Sequence, residues 1–144
     1  MAHVGDDAAA LRQCLGALLE SHDLVMLSGG VSMGRFDLVP QVLAELGVRA
    51  VFHKISQRPG KPLWFGQRPG GPLVFGLPGN PVSALVCLRR YVLPLLARAG
   101  GLAAVTPTFA RLAQPARLPE GLTLFLPVRL YTSAEAVLTA APAP

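Results

Sequence analysis

Two glycine-rich turns constrain this chain more than any other feature of it. Leu24-Val25-Met26-Leu27 runs into Ser28-Gly29-Gly30-Val31-Ser32-Met33-Gly34, and Leu73-Val74-Phe75 runs into Gly76-Leu77-Pro78-Gly79-Asn80-Pro81-Val82-Ser83. In each, a short apolar run stops abruptly at glycines, the pattern of a buried strand leaving its sheet through a tight turn. Glycine lets the backbone turn sharply there and present its N–H groups to an anion. The second turn also opens a helix. Asn80 is a capping residue, and Pro81 suits the first helical position, where no N–H is required. A single Gly-Gly pair is commonly just a turn; two such turns, each behind a strand, point to a phosphate-bearing ligand.

Around these turns the chain alternates helix and strand. Asp6-Asp7 precedes Leu11, Leu15, Leu18 and Leu19, a helical stripe for which Asp7 is the N-cap. Residues 24–27 form a strand. Leu38, Val42 and Leu46, with Leu43 beside them, mark a short helix that Gly47 ends, and residues 48–52 form the next strand. Pro62-Leu63-Trp64-Phe65-Gly66 and Pro72-Leu73-Val74-Phe75-Gly76 are near copies flanking Gln67-Arg68-Pro69-Gly70-Gly71, which predicts a hairpin. The longest helix is expected over residues 81–98, bent near its end by Pro94 and closed by Gly100-Gly101. This order implies an α/β fold in three layers: a mostly parallel sheet with helices on both faces and one β-hairpin. After Gly101 proline recurs at positions 107, 115, 119 and 127, and residues 109–112 and 123–130 read as short strands. Residues 1–101 are therefore expected to form one domain and residues 102–144 the start of a small β domain. Ala140-Ala141-Pro142-Ala143-Pro144 reads as a frayed end.

Composition excludes several classes. With 51% hydrophobic and 15% charged residues the chain is packed, not disordered. No apolar run reaches the roughly 20 residues of a membrane span, and the longest, residues 82–96, contains Arg89 and Arg90. The N-terminus shows no basic start followed by an apolar stretch, so no secretory signal is read. Cys14 and Cys87 are too few for a disulfide framework and too isolated for a metal site; two reduced thiols fit a cytoplasmic protein. The net charge is +5, but the basic residues are mostly scattered and no aromatics interleave with them, which argues against nucleic acid. Both lysines, Lys54 and Lys61, fall in one loop with Arg58 between them, an arrangement suited to a compact anion.

Loops that follow parallel strands share one sheet edge, and ligands bind there. Residues 28–34, 54–62 and 76–83 are such loops. The helix start at Asn80–Ser83 favours an anion through its free N–H groups and dipole. Lys54, Arg58 and Lys61 supply cations, Ser28, Ser32 and Ser83 hydroxyls, and Asp37 an acid. An acid beside a phosphate site suits Mg²⁺, a hard ion that takes carboxylate oxygens. Asp37 serves equally well as a cap for the helix after it, and the basic trio also fits a solvated face. His3, His22 and His53 lack metal-ligand spacing, and Trp64 suits packing in the hairpin.

Taken in this order and spacing, Ser28-Gly29-Gly30-Val31-Ser32-Met33-Gly34 with Asp37, Pro59-Gly60-Lys61-Pro62, and Gly76-Leu77-Pro78-Gly79-Asn80-Pro81-Val82-Ser83 resemble the molybdopterin molybdenumtransferase family, which includes bacterial MoeA and the gephyrin E domain. Asp6-Asp7 is similar to that family's Arg-Asp-Asp helix opening, with Gly5 in place of the arginine. The resemblance implies a role in molybdenum cofactor biosynthesis: Mg²⁺-dependent hydrolysis of adenylylated molybdopterin and insertion of molybdate into the dithiolene. By position, it implies that Asp37 and Asp6 serve catalysis and the metal, and that Lys54, Arg58 and Lys61 hold molybdate or phosphate. Ser28, Gly29, Gly30 and Ser32, with Pro78, Gly79, Asn80, Pro81 and Ser83, would bind the pterin substrate. It further implies a cytoplasmic homodimer for the full-length protein, with a molybdopterin adenylyltransferase as partner and neither nucleic acid nor membrane.

The chain departs from the family in several places. The family's molybdopterin-binding domain begins with a strand and helix carrying a Gly-Asp-Glu signature, and this chain starts after them. The two N-terminal domains and most of the C-terminal β domain are missing, and Gly121-Leu122-Thr123-Leu124-Phe125-Leu126-Pro127 lacks the arginines expected beside its phenylalanine. The expectation is a C-terminal fragment with incomplete activity. The alternatives are a non-catalytic molybdopterin-binding or dimerising fragment, and a molybdopterin adenylyltransferase-like enzyme, against which the Pro59–Pro62 and Gly76–Ser83 motifs argue.

Overall fold

The Asp7 carboxylate starts the first helix, α1 (Ala8–Ser21), by accepting the N–H groups of Ala9 at 2.7 Å and Ala10 at 3.1 Å. Those donors have no partner inside the helix, so the cap stabilises its start. The computed structural model describes residues 2–5, 7–31, 38–103 and 105–143. Strand β1 (Leu24–Ser28) follows α1, then α2 (Val39–Glu45) and β2 (Arg49–His53). At seven residues α2 is below the ~12–15 that an isolated helix needs. Burial of Val39, Val42 and Leu43 holds it in place. Its end is locked by Gly47 N–H on the Ala44 carbonyl and Val48 N–H on the Leu43 carbonyl, with Gly47 at φ +80°.

The expected hairpin is present as β4 (Trp64–Gln67) and β5 (Leu73–Leu77), after the two-residue β3 (Gln57–Arg58). The long helix comprises α3 (Pro81–Cys87), a π-helical turn (Leu88–Val92) and α4 (Leu93–Ala99). The irregularity expected at Pro94 lies one turn earlier. Proline has no N–H and its ring crowds the carbonyl four residues back. The π turn, in which Leu93 N–H reaches the Leu88 carbonyl, widens the helix just ahead of it.

The main sheet has the order β1-β5-β4-β2. Strands β1 and β5 are parallel, and β4 runs antiparallel to both of its neighbours. Three of the four strands therefore point the same way, and β1, β5 and β2 end at one edge. Alternation along the strands sorts side chains into two layers. Val25, Trp64 and Val74 pack with Leu15 and Leu19 of α1 and Val42 and Leu43 of α2. Phe75 and Leu77 pack on the other face with Cys87 and Val92, joined by Leu24 and Phe65. Helices thus cover both faces. Trp64, 2% exposed, is the packing residue that was expected.

Four further strands follow: β6 (Arg111–Leu112), β7 (Thr123–Leu124), β8 (Val128–Thr132) and β9 (Leu138–Pro142). The strand expected over residues 123–130 is divided at Pro127, which has no N–H for a ladder. The fraying expected over residues 140–144 is corrected for residues 140–142, which belong to β9, the central strand of a three-stranded sheet between β6 and β8, with Ala140 buried; Pro144 lies outside the described residues. Two-sided pairing overrides the weak strand preference of alanine. Strand β7 pairs with β3, where Thr123 N–H meets the Ser56 carbonyl and Phe125 N–H the Arg58 carbonyl, each at 2.9 Å.

Candidate functional site

Because β1 and β5 are parallel neighbours, the two glycine turns leave the sheet side by side. Gly29 N–H donates to the Leu77 carbonyl and the Ser28 hydroxyl to the Pro78 carbonyl, both at 3.2 Å. Gly29 and Gly30 adopt φ values of +89° and +67°, which side-chain-bearing residues avoid. At Gly30 space is decisive as well, since a Cβ would lie 2.7 Å from Cγ2 of Val39. Val31, fully buried, sits over Gly76, where a Cβ would come within 2.5 Å of its Cγ1. Asn80 caps α3, its Oδ1 accepting from Ser83 N–H at 3.0 Å and the Ser83 hydroxyl at 3.2 Å.

Lys54 follows the end of β2 and so lies at the same sheet edge as both turns. The loop it opens is closed by Lys54 N–H on the Leu63 carbonyl (2.9 Å), Ile55 N–H on the Lys61 carbonyl (3.0 Å) and Leu63 N–H on the Gly60 carbonyl (3.2 Å). Lys54, Arg58 and Lys61 are all exposed. Reasoning from sequence passed over two residues here. His53 places Nε2 2.8 Å from the Val31 carbonyl oxygen, tying this loop to the first glycine turn; its place at a strand end beside Lys54 was the available signal. Gln57 is 2% exposed within an otherwise polar loop, and no sequence signal marks it.

A cleft of about 420 Å³ opens beside the loop, lined by Arg58, Pro59, Arg117, Leu124 and Phe125 among others. Its size lies in the range of ligand pockets, about 300–1,000 Å³. A second cleft, about 540 Å³, lies where β1 and β5 begin, away from the three loops, and is lined by Glu20, His22, Asp23 and Arg68 among others. Arg68 is ion-paired with Glu20 there.

Ser28 at the end of β1, Arg58 in β3, Pro81 and Ser83 in the first turn of α3, and Gly29, Gly30, Lys54, Lys61, Pro78, Gly79 and Asn80 on the loops between are thus carried at one edge of the sheet. Ser32, Asp37 and Asp6 lie outside the described residues. Among the described residues no group of three His, Cys, Asp or Glu side chains could hold a metal ion. The described side chains at this edge are cations and hydroxyls, with the Asn80 amide and the His53 imidazole each bonded within the protein, and no carboxylate among those described to hold a magnesium ion. Among the described residues no helix is long and apolar enough to cross a membrane.

This is a three-layer α/β domain with paired glycine turns and a cationic loop at the ends of its strands, the edge where α/β domains as a class place their ligands. Residues 1–98 match the family described as "Probable molybdopterin binding domain". The chain is 38% identical over 146 aligned residues to the molybdopterin molybdenumtransferase of Synechocystis sp., covering 100% of this chain and 35% of that protein. It is 40% identical to the Synechococcus elongatus protein of the same name, over 90% of this chain and 32% of that protein. A solved MoeA structure from Pyrococcus horikoshii superposes with a TM-score of 0.67 at 33% identity, covering 96% of this chain and 32% of that one. The chain belongs to the MoeA family, through its molybdopterin-binding domain. It spans about a third of the length of the curated relatives it matches.

Proposed function

We propose that this chain supplies the binding surface for adenylylated molybdopterin in a molybdopterin molybdotransferase of molybdenum cofactor biosynthesis. The observation that supports this most is the hydrogen-bonded contact between the two glycine turns, at the sheet edge that also carries Lys54, Arg58 and Lys61. In this reading Ser28–Gly30 and Pro78–Pro81 flank the pterin, Ser32 and Ser83 offer hydroxyls, and the three cations hold phosphate or molybdate. The whole protein would hydrolyse the adenylyl bond with Mg²⁺ and insert molybdate into the dithiolene, with Asp37 and Asp6 as its acidic residues. It would act as a cytoplasmic homodimer that receives its substrate from a molybdopterin adenylyltransferase. The roles assigned to the described residues are binding roles; Asp37 and Asp6 lie outside them. Residues 1–101 carry that binding, and residues 102–144 belong to an adjoining β domain.

Hydrolysis needs water, metal and leaving phosphate fixed together. The isolated chain is therefore expected to bind adenylylated molybdopterin weakly and to release AMP slowly or not at all. A hydrogen bond to a charged group contributes about 1.5–3 kcal/mol, so Lys61→Ala should weaken binding roughly 10- to 100-fold. Asp37→Ala should remove any residual AMP release. Titration of the purified chain with adenylylated molybdopterin, with AMP release followed in parallel, tests both. Absence of binding, or binding indifferent to Lys61→Ala, would overturn the assignment of the site. Turnover matching a full-length relative would overturn the assignment of binding alone to this chain.

A further inference from the structure

Gln57 is buried to 2% exposure beneath a loop whose neighbouring Ser56 and Arg58 are exposed. A primary amide is costly to bury unless both ends are bonded, and here both are. Its Nε2 donates to the Pro59 carbonyl at 3.0 Å and lies 3.6 Å from Sγ of Cys87, while its Oε1 accepts from the Tyr91 hydroxyl. Sγ of Cys87 is in turn 3.7 Å from the Gly60 carbonyl oxygen. At Gly60 a Cβ would lie 2.4 Å from Gln57 Nε2 and 2.7 Å from Cys87 Sγ, so the loop backbone is seated on these two side chains without a gap. Cys87 ends α3 and Tyr91 lies in the π turn, so this contact joins the cationic loop to the helix that begins at the second glycine turn.

We propose that Gln57 is a positioning residue: with Tyr91 it locks the Pro59-Gly60-Lys61 backbone onto the helix, so that Arg58 and Lys61 leave the chain at fixed points facing the anion site. The proposal rests on the anion-binding reading of this edge and adds to it a residue that does not touch the ligand. Preorganisation of this kind raises affinity by lowering the ordering cost paid on binding. Arg58 and Lys61, long and exposed, have most to gain from a fixed backbone.

The test uses the full chain and adenylylated molybdopterin. Gln57→Met keeps the buried volume and removes both hydrogen bonds, and Tyr91→Phe removes one hydroxyl. Each should lower affinity by roughly tenfold, the scale set by freeing two rotamer-rich side chains. The double variant should bind no more weakly than Gln57→Met alone, because the hydroxyl acts through Gln57. Amide hydrogen exchange at Ile55 and Leu63, whose N–H groups close the loop, should accelerate in both single variants. Leu18→Ala, packed against the other core layer, serves as the control: it should lower Tm and leave affinity unchanged. Additive losses in the double variant, or affinity that tracks Tm across all the variants, would overturn the positioning role. If the unmodified chain binds and Gln57→Met and Tyr91→Phe bind equally well, the positioning role falls and the anion site stands. If the unmodified chain does not bind, both fall.

Discussion

Lys54 holds φ at +69°, a left-handed conformation that costs a residue with a side chain roughly 1–2 kcal/mol and glycine nothing. Its N–H bond to the Leu63 carbonyl closes the loop and enforces that conformation. The informative perturbation is a pair of variants, Lys54→Ala and Lys54→Gly. Both delete the ammonium group, so both should weaken anion binding. Their stabilities should diverge. Glycine relieves about 1–2 kcal/mol of backbone strain, and its freer unfolded chain takes back about 0.5–1 kcal/mol. The net is about 0.5–1 kcal/mol in favour of glycine, whereas at an ordinary position alanine leads by a similar amount. The sign is therefore the test. Urea unfolding can be followed through Trp64, the single tryptophan, buried in β4 three residues from Lys61. With a slope of about 2 kcal/mol per molar urea, the Lys54→Gly midpoint should exceed the Lys54→Ala midpoint by about 0.25–0.5 M. A glycine midpoint equal to or below that of alanine would refute the claim that this loop stores left-handed strain.

Asn80→Ala removes the cap that α3 takes from its Oδ1 and should cost about 1 kcal/mol; an unchanged calorimetric Tm would contradict it. Gly76→Ala should cost about 1–3 kcal/mol by overpacking, because its Cβ meets Val31 at 2.5 Å and Trp64 at 3.2 Å, and a wild-type urea midpoint would show that the turn yields freely. The N–H groups of Ala10 and Ala9 hold the Asp7 carboxyl below the usual carboxylate range. Its stabilisation is thus complete above the unfolded pKa and lost as pH falls through the folded pKa. Wild type should then lose more stability on acidification than Asp7→Asn, which keeps the acceptor without titrating; parallel pH curves would rule this out. Burial pushes the Cys87 thiol up, partly opposed by Gln57. Iodoacetamide should therefore modify the half-buried Cys14 well before Cys87, and equal labelling by peptide mass would show that Cys87 is not enclosed.

Much of the fold was legible because its signals are local. The leucine stripe of α1 with Asp7 at its head, the twin runs of the hairpin and the Gly47 stop all depend on residues within a turn or two of one another. The same holds for the part of the site carried by the glycine turns and by Asn80. The reading of residues 140–144 as frayed failed at residues 140–142 for the opposite reason: β9 is ordered by β6 and β8, and nothing within Leu138–Pro142 announces those partners.

By itself the sequence determined where β1 and β5 run into their glycine turns, that Asp7 and Asn80 cap α1 and α3, and that Lys54, Arg58 and Lys61 fall in one stretch between β2 and β4. Tertiary structure alone decided that β5 lies between β1 and the inverted β4, and so brought the two glycine turns within hydrogen-bonding distance. It likewise decided that His53 ties down Val31, 22 residues away, and that Gln57 reaches Tyr91 across 34. The physical reason is that turn and cap preferences are set by a residue's own dihedral angles and nearest donors. Strand order and buried polar partners are set by which surfaces can be desolvated together, which is a property of the packed layers and not of any one segment.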